Sequence, residues 1–404
     1  MGEKRVVVAG AGPVGMVMAL ALRREGIPVT VVEAGSTYCQ EFRAPAFHSP
    51  TLDMLDGLGM AEPMLKIGMK VPHMRFADRA LGRRVDLDLG ILGDRGLTRH
   101  PYDLIIGQSA FAKIGYELCV TAGVEFLFDH RVERAEQDEH TARVVCQTAH
   151  GQVTVPGAYV VGCDGGRSAV RKSLPVDFEG FTWTERFLMI HTTENLEPIL
   201  GKTIFVADGP DWRLVLKIPF GPGPDDWVTR LVSSLAPGIS EQEVSDPAFL
   251  QKRFDGLVEG RTAPFPIRDY YIYNVHQRVA SSLRVGRILL AGDAAHINNP
   301  LGGQGLNGGI HDVVNLAGKL GAVWRSEAGP ALLDLYDRQR RLTNTEYIQK
   351  VSIENKERQE ETDLAKRAAG MDFMELLARD DDMRVGFLKR WTMIDSLAYA
   401  DSIT

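Results

Sequence analysis

Residues 5–33, RVVVAGAGPVGMVMALALRREGIPVTVVE, decide the fold. Two runs rich in β-branched residues flank a glycine turn and a run of helix-forming residues. The stretch therefore predicts a buried strand, a tight turn, a helix and a second buried strand. Residues 6–22 carry no charge and could be mistaken for a membrane or signal segment. The glycines and the proline in the middle of this run argue against that interpretation.

The turn of this unit has the pattern Gly10-x-Gly12-x-x-Gly15, and Glu33 closes the second strand. Gly10 permits a sharp turn, Gly12 lets a pyrophosphate approach the backbone, and Gly15 lets the helix pack on the strand. The helix amino end offers N–H donors to an anion, and a carboxylate at residue 33 can accept from a ribose diol. Together these features favour a dinucleotide site over a plain structural turn.

Two later segments repeat the theme of a buried strand followed by Asp and Gly. The second motif is GCDGGRSAVRK at 162–172, with Asp164, and the third motif is GRILLAGDAAHINNPLGGQGLN at 286–307, with Asp293. The third motif has a glycine run that leads into a helix expected to start near Gly305. Either segment alone could be ordinary turn chemistry, but in this order they indicate one site built from three parts of the chain.

With these three motifs in order, residues 4 to about 345 resemble the class A flavoprotein monooxygenases, the para-hydroxybenzoate and phenol hydroxylase family. Residues 179–187 and 270–287 are similar to the phenol and nitrophenol hydroxylase branch. The resemblance implies an FAD enzyme that uses NADH or NADPH and O2 to hydroxylate a phenol or aromatic acid through a flavin C4a-hydroperoxide. The cofactor-binding residues that it implies are Gly10, Ala11, Gly12, Val14, Gly15, Glu33, Arg43, Gln108, Asp164, Asp293, Gly303, Gly305, Leu306 and Asn307.

A base that helps to ionise a substrate hydroxyl would suit this chemistry, and a histidine has the right pKa. The catalytic candidates are His48, which lies five residues after Arg43, and Pro300. For His48 the alternatives are a cap on the short helix that starts near Thr51 and an ordinary position in the core. The candidate pocket residues, for which plain packing is the alternative, are His191, Trp212, Tyr271 and Tyr273.

The predicted fold class is α/β, with a Rossmann-like FAD-binding domain, an inserted and mainly antiparallel β substrate domain, and C-terminal helices. Residues 1–72, 98–178 and 268–330 are assigned to the FAD-binding domain. Residues 73–97 and 179–267 are assigned to the substrate domain, and 331–404 to the C-terminal helical region. A separate nicotinamide-binding domain is not expected, because no second glycine fingerprint of this kind follows the first.

The composition limits the partners. There are 46 Lys and Arg against 53 Asp and Glu, a net charge of −7, which disfavours nucleic acid. The four cysteines have neither metal-ligand nor paired spacing, so we predict no metal and a cytoplasmic location, with a homodimer as one alternative. A flavin oxidase or dehydrogenase, or a non-catalytic redox sensor, remains an alternative function. The substrate, the choice of NADH or NADPH, and the base stay open.

Overall fold

The computed structural model describes residues 4–41 and 44–404. Its strands, in chain order, are β1 (Val6–Ala9), β2 (Val29–Val32), β3 (Ala46–Phe47), β4 (Met69–Val71), β5 (His73–Asp78), β6 (Arg83–Asp88), β7 (Asp103–Ile105), β8 (Glu125–Leu127), β9 (Arg131–Gln137), β10 (Ala142–Thr148), β11 (Gly151–Gly157), β12 (Tyr159–Gly162), β13 (Phe178–Thr192), β14 (Thr203–Ala207), β15 (Arg213–Pro219), β16 (Trp227–Leu235), β17 (Ile267–Ala280), β18 (Arg284–Val285), β19 (Ile288–Leu290) and β20 (His296–Ile297).

The helices are α1 (Pro13–Arg24), α2 (Ser49–Gly57), α3 (Ala61–Ile67), α4 (Gly90–Asp94), α5 (Gln108–Thr121), α6 (Ala169–Lys172), α7 (Glu197–Leu200), α8 (Glu241–Val244), α9 (Pro247–Lys252), α10 (Gln304–Trp324), α11 (Leu332–Thr343), α12 (Gln349–Glu360), α13 (Leu364–Arg379), α14 (Asp381–Trp391) and α15 (Ile394–Ser402). A 3-10 turn covers Gly292–Ala294, and a π-helical turn covers Asn344–Ile348. None of the helices in these described ranges is long and apolar enough to cross a membrane.

The first sheet brings the three sequence motifs together. Its order is β18-β19-β12-β1-β2-β8, and β19, β12, β1, β2 and β8 run parallel to one another. Parallel strands end at the same edge of a sheet, so the residues that follow β1, β12 and β19 are neighbours there. These residues are the glycine turn at 10–15, Asp164 and Asp293. The predicted convergence of the three segments at one edge is thus present in the fold.

The second sheet has the order β20-β17-β13-β16-β15-β14-β5-β6, and all of its pairs are antiparallel except β14 with β5. The predicted hairpin in 73–97 joins this sheet as β5 and β6. The sequence assigned 268–330 to the FAD-binding domain, but β17 pairs along most of its length with β13 and so belongs to this second sheet. The boundary at 268 lies one residue inside β17, so a division drawn on composition assigned nearly the whole strand to the FAD-binding domain although it pairs within the second sheet.

The two faces of the second sheet have different neighbours. Leu188 and Ile190 of β13 pack with α8 and α9 in one apolar cluster. Phe187 and Met189 point to the other face and pack with Leu301, which immediately precedes a glycine pair at the start of α10. Side chains alternate between the faces of a strand, so Phe187, Met189 and His191 lie on the face of β13 that packs against Leu301. This second face is called the inner face below.

The C-terminal helices are attached to the second sheet by a buried ion pair. Arg367 of α13 binds Asp78 of β5 through two hydrogen bonds, Nε to Oδ2 at 2.7 Å and Nη2 to Oδ1 at 2.8 Å. Both side chains are buried. A bidentate guanidinium–carboxylate pair of this kind fixes geometry, and removal of one partner would leave the other charge without its counter-ion.

Replacement of Arg367 by Ala should lower the free energy of unfolding by about 3 to 5 kcal/mol, because the Asp78 carboxylate would stay buried and unpaired. Chemical denaturation followed by circular dichroism would measure the loss. The control is Arg83→Ala, which breaks contacts to the more exposed Asp372 and Glu375 and should cost only about 0 to 1 kcal/mol. Equal losses in the two variants would contradict this assignment.

Candidate active site

The glycine turn after β1 has the shape that a pyrophosphate needs. Gly10 has φ +103°, and a Cβ on it would meet the Cys163 carbonyl oxygen at 2.6 Å. A Cβ on Gly15 would lie 2.0 Å from the Gly10 carbonyl oxygen. Around Gly12 a Cβ would meet nothing within 4 Å. The first and third glycines are therefore required by close packing, whereas the second leaves space beside the amino end of α1 for an anionic ligand.

Glu33 and Val14 brace this turn. The two carboxylate oxygens of Glu33 accept hydrogen bonds from the N–H groups of Ala11 and Gly35, each at 2.8 Å. Val14 is in close packing with the third motif, since a Cβ on Gly292 would lie 3.0 Å from its Cγ2. Carboxylate oxygens have further lone pairs, so Glu33 can hold the turn and also accept from a ribose.

Gln108 opens α5 and holds the chain on both sides of the segment that carries Arg43. Its Oε1 accepts from the Ala44 N–H at 3.1 Å, and its Nε2 donates to Cys39 Sγ at 3.5 Å. Arg43 itself lies outside the residues that the structure describes, so its predicted cofactor contact stays a prediction. These two hydrogen bonds nevertheless hold Gln108 to the chain between β2 and β3.

Asp164 orders the second motif. Its Oδ1 accepts from Ser168 Oγ at 2.5 Å, and its Oδ2 accepts from the N–H groups of Ala169 and Val170 at 2.7 and 3.1 Å. Burial raises the pKa of this carboxyl, against the effect of these donors. The hydrogen bonds make Asp164 the organiser of the turn before α6, and its predicted contact with FAD stays a prediction.

The third motif depends on a buried carboxylate that the sequence analysis missed. Asp312 of α10 accepts from the Gly292 N–H at 3.0 Å, contacts His296 Nε2 at 2.6 Å, and accepts from Arg340 Nε at 2.7 Å. Burial opposes ionisation of Asp312, but His296 and Arg340 outweigh it and lower its pKa to about 2. Asp312 thus fixes the turn that presents the exposed Asp293. A charged residue within the apolar pattern of α10 was the available signal.

The loop before α10 contains two glycines in the left-handed conformation, which a residue with a Cβ rarely adopts. We call residues 300–303 the cofactor loop. Gly302 and Gly303 have φ values of +100° and +69°, and α10 begins at Gln304. The free N–H groups of the first turn belong to Gln304, Gly305 and Leu306 rather than to Asn307. The Asn307 side chain instead binds the chain before α2, donating to the Ala46 carbonyl at 3.0 Å and accepting from the His48 N–H at 3.0 Å.

His48 lies beside this loop, and its predicted role as a base stays a prediction. Its Nε2 lies 2.8 Å from the Gly302 carbonyl oxygen, and its Nδ1 lies 2.8 Å from Asp103 Oδ1. Both nitrogens therefore face oxygen acceptors of the protein, which disfavours a free lone pair for a phenolic proton. His48 precedes α2, yet its side chain makes no capping hydrogen bond, so the helix-cap alternative is not what the structure shows. Pro300, the other catalytic candidate, is exposed at the start of the cofactor loop.

His191 lies on the inner face of the second sheet in a polar chain of three residues. Its Nδ1 is 2.5 Å from Asp269 Oδ1, and its Nε2 accepts from Arg230 Nε at 2.9 Å. Burial, followed by the charge of Arg230, lowers the pKa of His191 to about 4, so the imidazole is neutral at pH 7. Burial also lowers the pKa of Arg230 to about 10, which leaves it cationic. Arg230 and Asp269 were not predicted; an arginine inside the buried strand WVTRLVSSL was the signal.

The other predicted pocket residues divide into two groups. Trp212 is fully buried, its ring lies 5.1 Å from that of Phe187, and its Nε1 donates to Glu360 Oε1 at 3.2 Å. This arrangement corresponds to the packing alternative. Tyr273 is half-buried and lies near Arg230, and burial raises its pKa. Tyr271 is 49% exposed, with its ring 5.9 Å from that of His191. The two tyrosines therefore share the inner face with His191.

Comparison with known proteins shows the family of this chain. The family model described as FAD binding domain matches residues 3–351. The chain belongs to this family of FAD-dependent aromatic monooxygenases. It is 32% identical to para-nitrophenol 4-monooxygenase of Pseudomonas sp. (strain WBC-3) over 90% of this chain and 89% of that protein. It is also 33% identical to a 3-(3-hydroxy-phenyl)propionate/3-hydroxycinnamic acid hydroxylase of Mycolicibacterium gilvum (strain PYR-GCK), over 83% of this chain but only 57% of that longer protein.

The solved structures include a p-nitrophenol 4-monooxygenase from Pseudomonas putida DLL-E4. It has a TM-score of 0.88 and 31% identity, covering 96% of this chain and 98% of that one. The predicted family, the α/β fold class and the assignment as a flavoprotein monooxygenase are thereby confirmed. FAD fits the residues present, because the cradle at Gly12 is open and the first turn of α10 offers unpaired donors.

Asp293 of the third motif and Asp312 of α10, which supports that motif, should respond differently to truncation. Asp293→Ala should weaken FAD binding by about 1 to 3 kcal/mol, since a ribityl hydroxyl would lose its acceptor, while the exposed position leaves the stability of the apoprotein nearly unchanged. Asp312→Ala should weaken FAD binding and also lower the unfolding free energy by about 3 to 5 kcal/mol, because Arg340 is left buried and unpaired.

FAD fluorescence on dilution and denaturation of the apoprotein would separate the two effects. Asp334→Ala, which breaks an exposed pair with Arg284, is the matched control and should change neither. If Asp312→Ala changes neither stability nor FAD affinity, Asp312 does not hold the third motif.

Proposed function

We propose that this monooxygenase hydroxylates a phenolic ring that binds as a phenolate, with NADH or NADPH as reductant and O2 as co-substrate. The observation that carries the proposal is the buried, cationic Arg230 on the inner face of the second sheet, the face against which Leu301 of the cofactor loop packs. The relatives named above are hydroxylases of phenolic compounds by their names, which supports an aromatic substrate. The oxidase, dehydrogenase and redox-sensor alternatives have no comparable support.

Two apolar clusters on the inner face enclose the proposed substrate position. Leu301 of the cofactor loop packs in one cluster with Met189 and Val232. Ala46 of β3 packs in the other with Leu216, which is paired in register with Arg230. Leu214 touches both clusters and yet is only half-buried. We infer an opening at Leu214 that leads to Arg230 between the sheet and the cofactor loop.

Arg230, His191 and Asp269 determine which chemical group of a substrate this opening would favour. Asp269 holds the Nδ1–H tautomer of His191, and the Nε2 lone pair of His191 orients the guanidinium of Arg230. A cation held near a phenol favours the phenolate and lowers the pKa of the hydroxyl. The ring carbons ortho and para to the oxygen then become electron-rich. In this arrangement Arg230 favours ionisation of the substrate, and His191 positions Arg230.

Bound FAD would supply the chemistry that activates O2 with electrons from NAD(P)H, so that one oxygen atom goes to the ring and the other leaves as water. The protein's own contribution is to hold the ring, to exclude water from the apolar enclosure, and to supply donors at the first turn of α10. The six-stranded sheet is the only parallel dinucleotide-type sheet among the described residues. NAD(P)H is therefore proposed to bind transiently rather than on a domain of its own.

The proposal also includes the cellular location and the oligomeric state of the protein. The four cysteines form no disulfide, which supports a reducing compartment such as the cytoplasm. A homodimer remains a prediction. The substrate position that is hydroxylated, and the choice between NADH and NADPH, are decided by experiment.

Arg230→Met should lower kcat/KM for a phenolic substrate about 10- to 150-fold, as expected for loss of a hydrogen bond to a charged group, with FAD content unchanged. The activity profile should shift to higher pH, because the phenol must then ionise at its ordinary pKa near 10. A panel of phenols and aromatic acids, scored by NAD(P)H consumed, O2 consumed and hydroxylated product formed, provides the measurement.

The control is Lys217→Met, which removes a cation of the adjacent strand β15 on the opposite face of the sheet. It should leave kcat/KM and the pH profile unchanged. An unaltered pH profile in Arg230→Met would remove Arg230 from the proposal. NAD(P)H oxidation without any hydroxylated product across the panel would instead favour a flavin oxidase or dehydrogenase.

A further inference from the structure

His48 bridges two segments that are far apart in the chain. It lies between β3 and α2, and only 2% of its surface is exposed. Asp103, its partner at Nδ1, is the first residue of β7, and Gly302, its partner at Nε2, belongs to the cofactor loop. One side chain thus connects the sheet formed by β3, β7 and β4 with the loop at the amino end of α10.

The partners determine the protonation of this bridge. A carbonyl oxygen only accepts hydrogen bonds, so the contact with Gly302 requires a hydrogen on Nε2. The contact with the Asp103 carboxylate requires a second proton, shared between Nδ1 and the carboxylate. If that second proton is lost, a ring nitrogen presents a lone pair either to Asp103 or to the Gly302 carbonyl oxygen. Both contacts of His48 therefore persist only while the His48–Asp103 pair retains this second proton.

The peptide unit that His48 contacts is held at both of its ends. The Gly302 carbonyl oxygen contacts His48, and the N–H of the same peptide, on Gly303, donates to the Pro300 carbonyl oxygen at 3.0 Å. The packing is close, since a Cβ on Gly303 would lie 3.2 Å from His48 Nε2. Both glycines have positive φ, and glycine adopts positive and negative φ about equally readily, so contacts with neighbouring groups are needed to select one loop conformation.

We propose that His48 and Asp103 form a proton-dependent clasp that fixes the Gly302–Gly303 peptide and thereby sets the cofactor loop for FAD. His48 is then a positioning residue, and its imidazolium form is the working form. The clasp and bound FAD favour the same loop conformation, so protonation of His48 tightens FAD binding and FAD binding favours protonation to the same extent. The inference rests on the FAD cofactor of the family and is independent of the proposed substrate.

The surrounding charges are consistent with this assignment. Among the described residues, the groups whose charge or protonation bears on His48 are Asp103 of β7 and His311 of α10. Burial would lower the pKa of His48, but the charge and hydrogen bond of Asp103 outweigh it and raise the pKa above the usual value. Burial, followed by the charge of Arg340, lowers the pKa of His311 to about 3, so His311 is neutral and does not compete for the proton.

The sign of the pH dependence follows from the raised pKa. The contribution of the clasp is fully present below the ordinary histidine pKa of about 6.5, and it is lost as the pH rises through the higher pKa of the folded protein. The FAD dissociation constant of the wild-type holoenzyme should therefore increase from about pH 6 to about pH 9. FAD fluorescence on dilution measures it without any substrate or turnover.

The test compares His48→Gln and Asp103→Asn with the wild type. At about pH 6 the FAD dissociation constant of each variant should be about tenfold or more above that of the wild type, because a charge-assisted contact is lost. In each variant the FAD dissociation constant should also lose the pH dependence that it has in the wild type. The double variant should bind FAD within about twofold of the weaker single variant, because both changes break the same clasp. His73→Gln, at an exposed histidine 3.7 Å from Asp88, is the matched control and should behave as the wild type.

Two results would overturn the proposal. One is a wild-type FAD dissociation constant that does not change with pH. The other is a pair of variants that bind FAD with the wild-type affinity and pH dependence but form less product per NAD(P)H, which would restore His48 as the base. If His48→Gln fails to fold, the wild-type pH titration and Asp103→Asn decide the question. Failure of the phenol panel would leave this test intact, because FAD affinity is its readout.

Discussion

The buried carboxylate of Asp312 is the interaction on which the cofactor side of the molecule depends. It binds the backbone of Gly292 at the end of the central sheet, the imidazole of His296 and the guanidinium of Arg340. These contacts join a parallel strand, α10 and α11 at one point. An ionised carboxylate without these partners would be very costly in such a buried position. The third motif is therefore stable only when the C-terminal helices are in place.

The inner face of the second sheet also carries charged groups that are held by hydrogen bonds to neighbouring polar groups. Arg230 and Asp269 have opposite charges, and the neutral ring of His191 connects them without itself being ionised. The cation stays in a largely apolar enclosure because its partners orient it. The same arrangement makes His191 unsuitable as a base, since its one lone pair is already occupied. Electrostatic stabilisation of a phenolate is therefore better supported than proton abstraction by a histidine.

His48 shows how far reasoning from proximity in the chain can go. Its spacing from Arg43 predicted that the residue could reach the ring end of the cofactor, and that contact stays a prediction; the structure places its Nε2 beside Gly302. The spacing could not indicate which groups the two ring nitrogens would face. Asp103 is 55 residues away in the chain and Gly302 is 254 residues away. Only the folded structure shows that Asp103 and Gly302 both contact His48, and these contacts are the basis for proposing a clasp.

The sequence by itself determined the α/β fold, the family, and the convergence of three motifs on one sheet edge. It could do so because steric demands at residues such as Gly10 and Gly15, and the periodicity of strands and helices, are local properties of the chain. The tertiary structure decided that β17 belongs to the second sheet, that Trp212 is packed in the core, and that Arg230, His191 and Asp269 meet on one face of that sheet. These outcomes depend on partners distant in the chain, because burial and hydrogen-bond partners, which set protonation, are properties of the folded molecule.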